Sequence, residues 1–135
     1  MNKENWRKRW LDSINELTSL ELQRKSWLDF KNTNPHWSYV EFTGCYFDDL
    51  ALSDKYKNEI NIGYISEEEY ELIKDWHKML NEYEAPNKNS YDNEAILSDE
   101  NWLKIINLGK KTKESLMFIL NASEKQILQE QIKIT

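Results

Sequence analysis

The apolar positions of the first seventeen residues recur at the spacing of an α-helix. Trp6, Trp10, Ile14 and Leu17 fall at i, i+4, i+8 and i+11, which places them on one helical face. The next apolar stretch, residues 19–30, has a less regular period. It either extends the first helix or forms a second one after a break near residues 18–19. Because a residue before proline avoids the α conformation, we expect helical structure to end in the run KNTNP.

Asn34 and Pro35 then predict the start of another helix, over about residues 35–52, since Asn caps helices and Pro suits the first helical position. Its apolar residues form two rows, Tyr39, Phe42, Tyr46 and Leu50, and His36, Val40, Phe47 and Ala51. Two rows predict a helix buried on much of its circumference. Gly44 in its middle suggests the close approach of another backbone. A strand over WSYVEF is the alternative.

The clearest helix begins at Ser66. Glu69 follows three residues later as a capping box, and Ile65 and Tyr70 are placed as a hydrophobic staple. The apolar stripe behind this start comprises Tyr70, Ile73, Trp76 or His77, Leu80 and Tyr83. We expect the helix to end before Pro86.

The remaining segments complete an all-α prediction. The run SDKYKNEINIGY forms a connector that suits a turn near Gly63 or a minor β element near 58–65, and a polar loop of about ten residues starts at Pro86. Ser98 or Asp99 caps a further helix, which either continues through Gly109 or breaks there. The run SEKQ at 123–126 opens a terminal helix through about 133. We therefore predict five or six helices around an aromatic-rich core, in a single helical domain over 1–135.

Composition supports helices and restricts the cellular setting. Six Trp among 135 residues provide large apolar groups for a core, whereas three Gly and two Pro allow few tight turns. The single cysteine, Cys45, cannot form an internal disulfide and indicates a reducing compartment. The N-terminus shows no secretion signal, and no apolar run approaches the roughly 20 residues of a membrane span. We expect a soluble cytoplasmic protein without membrane association.

The negative charge is concentrated in the middle of the chain. Positions 41–100 carry 16 acidic and 5 basic residues, a net charge of −11, although the whole chain carries −6. Such a segment repels phosphate backbones and attracts basic partners. The glycines are isolated and form no phosphate-binding loop, and the Trp residues within KENWRKRW belong to the first apolar stripe. We therefore expect no nucleotide or nucleic-acid binding.

Candidates for chemistry are few. His36 and Glu41 are five residues apart, and Asp75 and His77 are two apart, so neither pair has the helical spacing of metal ligands. Cys45 lies among aromatic residues, where a thiol acts as a small apolar group. We expect no metal, no cofactor and no catalytic residue. Glu41 and His77 are predicted to be buried polar residues with structural partners.

Recognition of another protein is the function that these residues favour. The outward face of the helix SEEEYELIKDW and the end of the preceding helix provide the predicted partner-binding carboxylates, Asp48, Asp49, Glu67, Glu68, Glu71 and Asp75. Charged faces of this kind accelerate encounter with an oppositely charged protein. The alternative is an ordinary solvated acidic surface.

In size, charge and character, the chain resembles the immunity proteins that neutralise bacterial toxin domains. The resemblance includes the runs NPHWSYVEFTGCYFDDL and ISEEEYELIKDWHKMLNEYEAP. It implies a non-enzymatic protein whose cognate partner is a basic toxin, often a nuclease, blocked by direct binding. Two alternatives remain open. One is a small hydrolase-like or metal-dependent enzyme using Glu41 or Asp48 with His36 or His77, and the other is a regulatory adaptor.

Overall fold

The computed structural model describes residues 2–28, 38–52 and 56–129. Within these ranges the chain forms eight α-helices and no strand. The helices are α1 (Lys3–Leu17), α2 (Leu20–Leu28), α3 (Tyr39–Gly44), α4 (Lys57–Asn61), α5 (Glu67–Glu82), α6 (Asn93–Leu97), α7 (Glu100–Met117) and α8 (Ala122–Gln129). The predicted all-α class is confirmed for these residues.

The first two helices are separate, in agreement with the predicted break. The Thr18 hydroxyl donates to the Ile14 carbonyl oxygen at 2.8 Å, so the side chain bonds to the last turn of α1. Helix α2 resumes at Leu20 and buries Leu22 and Trp27. The predicted end of helical structure, in the run KNTNP, lies outside the described residues.

The helix predicted over 35–52 is confirmed from Tyr39 to Asp49, and the strand alternative is wrong for its described part. Helix α3 continues directly into a π-helical turn, Cys45–Asp49. The described helix has Ser38 as its N-cap, whereas the predicted cap at Asn34 lies outside the described residues. Phe42, Tyr46 and Leu50 are buried, as the first row predicts. The prediction from the second row is wrong at its last residue, Ala51, which is exposed and lies beyond the helix with a φ of 55°.

Helices α5 and α7 pack against each other, and their start signals are confirmed. The Ser66 hydroxyl accepts a hydrogen bond from the Glu69 amide at 3.1 Å, and the Glu69 carboxylate accepts one from the Ser66 amide at 2.9 Å. Asp99 caps α7 through the Asn101 amide at 3.2 Å.

The close approach expected at Gly44 occurs instead at Gly109. A Cβ at Gly109 would lie 2.6 Å from both Trp76 Nε1 and Thr18 Cγ2, whereas the nearest atom to one at Gly44 is an Asp48 carboxylate oxygen at 3.8 Å. Helix α7 runs unbroken through Gly109, so of the two predicted alternatives the break there is wrong. The glycine serves packing, because it admits the Trp76 indole between α5 and α7.

Two short helices raise the count above the predicted five or six. Helix α4 replaces the minor β element expected near 58–65 and ends in a turn where Gly63 has a φ of 79°. Helix α6 lies inside the predicted polar loop. Each spans five residues, which is too short for a helical period to show in the sequence.

The core is aromatic, as predicted. One group of rings links α2, α3 and α7 through Trp27, Phe42 and Trp102, with centroid separations of 5.4 to 5.8 Å from Trp27. A second group joins α1, the π-helical turn and α5 and contains Trp10, Tyr46, Tyr56, Trp76 and His77. No helix of the described residues is both long enough and apolar enough to span a membrane.

Candidate interaction surface

Helix α5 presents one face to the core and the opposite face to solvent. Ile73, Trp76 and Leu80 are buried, which fixes the rotation of the helix. Glu67, Glu71 and Asp75, at i, i+4 and i+8, are therefore all exposed on the opposite face. We call these three residues the acidic face of α5. Lys74 donates to the Glu71 carboxylate at 2.7 Å, an exposed pair that contributes little to stability.

Glu68 is exposed beside this face, whereas Glu69 turns inward to Arg7 of α1. The Arg7 guanidinium donates to both Glu69 oxygens at 3.0 and 2.6 Å, and to both Glu124 oxygens at 2.6 and 3.3 Å. A further bond at 2.8 Å reaches the Tyr64 carbonyl oxygen. The guanidinium carbon also lies 5.3 Å from the centroid of the Trp10 ring. Arg7 thus connects α1 to the start of α5 and to α8.

The pKa values of this cluster follow its contacts. Burial alone would raise the pKa of Glu69, but hydrogen bonds from Arg7 and Ser66 outweigh it and lower the pKa below its ordinary value. Burial likewise opposes the charge on Arg7, and the two carboxylates raise its pKa overall. Arg7 and Glu69 therefore both remain ionised near neutral pH. The Glu69 and Glu124 carboxylates are occupied within the fold by their contacts with Arg7.

Asp48 and Asp49 lie at the end of the π-helical turn, and both are exposed. Asp49 accepts a hydrogen bond from Arg9 of α1 at 3.3 Å, with both side chains half exposed. All six predicted partner-binding carboxylates are thus accessible. The contact made by Asp49 joins it to α1, whereas Glu71 pairs within α5.

Glu41 is exposed, so the prediction that it is buried is wrong. Its carboxylate accepts a hydrogen bond from the Ser38 backbone amide at 2.9 Å. The described helix begins at Tyr39, which puts Glu41 in the first turn, where a carboxylate favours the positive end of the helix dipole.

His77 is buried, as predicted, and takes part in a chain of hydrogen bonds inside the second aromatic group. Trp10 Nε1 donates to the Tyr56 hydroxyl at 2.9 Å, the Tyr56 and Tyr46 hydroxyls bond to each other, and the Tyr46 oxygen lies 2.8 Å from His77 Nδ1. Burial raises the pKa of both tyrosines, so both keep their protons. Because an indole only donates, Trp10 donates to Tyr56, Tyr56 donates to Tyr46, and Tyr46 donates to His77 Nδ1.

The residues considered for an enzyme lie in different surroundings. His77 is enclosed among aromatic rings, Glu41 is exposed at the start of α3, and His36 lies outside the described residues. Burial, with Asp49 and Glu16 nearby, raises the pKa of the Cys45 thiol to about 11, so it is protonated at neutral pH. Among residues 2–28, 38–52 and 56–129, no three His, Cys, Asp or Glu side chains could hold a metal ion together.

Three features were not predicted from the sequence. Arg7 lies off the apolar stripe of α1, and nothing local indicates that residues 69 and 124 meet it. Burial, reinforced by the nearby Asp12, raises the pKa of Glu16 on α1 to about 7, and Arg9 only partly opposes this. Phe118, at the end of α7, is 87% exposed although it is a large apolar residue. The period of α7, with Leu116 buried, is the signal that could have shown its outward position.

Comparisons with protein-family models, with curated proteins and with solved structures found no match to this chain.

Proposed function

We propose that this protein is a non-enzymatic binding protein, an immunity protein that neutralises a cognate basic bacterial toxin domain by covering it. The observation that carries the proposal is the acidic face of α5. Its three carboxylates follow one side of a sixteen-residue helix whose other side is fixed in the core. A rigid row of like charges suits the recognition of a basic protein, because it is already oriented before the partner arrives.

The carboxylates fall into two groups, those bonded within the fold and those exposed at the surface, and this supports the proposal. Glu69 and Glu124 neutralise Arg7, and Glu41 caps α3. Glu67 and Asp75 are exposed, and Glu71 makes only a surface pair with Lys74. Charge that contributes little to folding remains available for a partner, and it lies in the segment of net charge −11.

Co-expression tests the proposal. The partner to use is a toxin domain encoded immediately upstream of the gene for this chain. We expect the toxin alone to stop growth of the host cell and co-expression of this protein to restore growth. The purified proteins should form a stable complex in which the activity of the toxin is blocked. Failure of co-expression to restore growth, with both proteins present in the cell, contradicts the proposal.

A further inference from the structure

The hydrogen bonds inside the second aromatic group give one buried phenol a base for its proton. Tyr46 donates to His77 Nδ1 across 2.8 Å and accepts from Tyr56. The Tyr56 hydroxyl in turn accepts from Trp10 at 2.9 Å. All four side chains are buried. The base within reach of the Tyr46 proton is therefore His77 Nδ1, at a distance that allows direct proton transfer.

Loss of an electron by Tyr46 is coupled to movement of this proton. Burial raises the pKa of the Tyr46 phenol well above its ordinary value, which opposes loss of the proton alone. A phenol that has lost one electron is a strong acid, so it passes its proton along the existing hydrogen bond. The Tyr46 O–H bond breaks and an N–H bond forms at His77 Nδ1. The products are a neutral tyrosyl radical and an imidazolium.

A row of aromatic rings connects this pair to the surface. The centroid of the Trp10 ring lies 6.5 Å from that of Tyr56 and 6.0 Å from that of Trp6. The Trp6 ring lies 5.8 Å from that of Tyr64, which is partly exposed. Aromatic rings at these separations are in contact. An electron can therefore pass from ring to ring between the core and the surface without crossing a wide gap.

Tyr83 provides a comparison within the same chain. Its hydroxyl donates to the Asp99 carboxylate at 2.8 Å, so it also has a base for its proton. An imidazole is ordinarily a stronger base than an aspartate carboxylate, by roughly 2–3 pKa units, and a stronger base makes the coupled loss of an electron easier. Tyr83 is also partly exposed, whereas Tyr46 is fully buried. A radical on Tyr46 is therefore both easier to form and shielded from coupling with other radicals.

We propose that Tyr46 is a redox-active residue that yields one electron to an oxidant at the protein surface while its proton moves to His77 Nδ1. The oxidant belongs to the class of high-valent metal complexes, which accept an electron without entering the core. The electron leaves through Tyr56, Trp10 and the rings beyond them, and the metal of the complex is reduced by one unit of charge. The inference does not rest on the proposed function, because none of these residues belongs to the acidic face of α5.

Photogenerated tris(bipyridine)ruthenium(III) supplies such an oxidant to the purified protein, and electron paramagnetic resonance after rapid freezing detects the radical. We expect a long-lived neutral tyrosyl radical in the wild type, with a spectrum that ring-deuterated tyrosine narrows. Tyr46→Phe, which keeps the ring, should abolish this signal. Tyr83→Phe and Tyr91→Phe are the matched controls, since Tyr83 also has a base and Tyr91 is strongly exposed. Both should keep the signal.

Two further measurements test the base. His77→Phe should lower the yield of the radical severalfold, with circular dichroism confirming that each variant is folded. In the wild type, isotopically labelled histidine should show a magnetic coupling to the radical, because the imidazolium stays hydrogen-bonded to the phenoxyl oxygen. Absence of this coupling overturns the proposal whether or not the variants fold.

The proposal is also overturned by a wild type that forms no tyrosyl radical, by a signal that persists in Tyr46→Phe, and by one that is lost in Tyr83→Phe. None of these experiments involves the toxin. Failure of the redox proposal therefore leaves growth rescue by the acidic face of α5 untouched, and the two proposals can fail separately.

Discussion

Arg7 makes a hydrogen bond with each of the five N–H donors that a guanidinium possesses. Two carboxylates and the Tyr64 carbonyl oxygen accept them, and the group is only slightly exposed. A lysine could not reproduce this planar arrangement. Glu69 and Glu124 are therefore held within the fold, whereas Glu67, Glu71 and Asp75 are exposed at the surface.

Glu16 is the residue whose titration should be visible in the stability of the protein. Its pKa of about 7 in the folded chain exceeds the ordinary value of 4.5, so the folded state binds this proton more tightly. Protonation of Glu16 therefore stabilises the folded state. This contribution to the free energy of unfolding is complete below about pH 4.5 and is lost as pH rises through 7. Glu16→Gln should match the wild type at low pH and exceed its stability by about 1–3 kcal/mol at pH 8.

Urea unfolding from pH 4 to pH 8 measures this difference. Glu114→Gln, at an exposed position on α7, is the control and should differ little from the wild type at every pH. If the advantage of Glu16→Gln is the same at pH 4 and pH 8, the elevated pKa is contradicted.

At the scale of elements, sequence patterns located the long helices and missed the short ones. The cap at Ser66, the cap at Asp99 and the stripes of α1 and α5 are local signals, and each was confirmed. Helices α4 and α6 have five residues each, and their ends are set by the tertiary contacts around them. The role of each glycine could not be predicted from the residues around it in sequence. The space available for a Cβ depends on side chains from other elements that pack against the glycine.

The two helical glycines therefore predict opposite responses to alanine. At Gly109 a Cβ would overlap Trp76 and Thr18, and overpacking of this kind costs about 1–3 kcal/mol of the free energy of unfolding. At Gly44 the nearest atom is at 3.8 Å, so alanine should stabilise by up to about 1 kcal/mol through helix propensity. Chemical denaturation of both variants gives the comparison. A Gly109→Ala protein as stable as Gly44→Ala would contradict the packing described here.

At the scale of the whole molecule, charged side chains and aromatic core residues lie on different faces of the same helices. The sequence predicted the exposed carboxylates of α5 because exposure follows from helical period once the buried stripe is known. It misassigned Glu41, because two apolar rows predicted burial on much of the helix, whereas in its described part only residues of the first row are buried. The Arg7 cluster could not be predicted, because it joins segments separated by fifty residues or more.

The central claim is that the acidic face of α5 binds a basic toxin. The most direct test is the dissociation constant of the complex with that toxin domain, measured by calorimetry for the wild type and for Glu71→Lys/Asp75→Lys. The control is Glu21→Lys/Glu114→Lys, which makes the same change of charge at exposed positions on α2 and α7 and also removes one surface ion pair, Glu21 with Lys25.

We expect the α5 variant to weaken binding at least tenfold, about 1.4 kcal/mol, and the control to change it much less. The difference should shrink in high salt, because exposed charges are screened there. Equal affinities for the wild type, the α5 variant and the control would contradict the claim that this face carries the interaction.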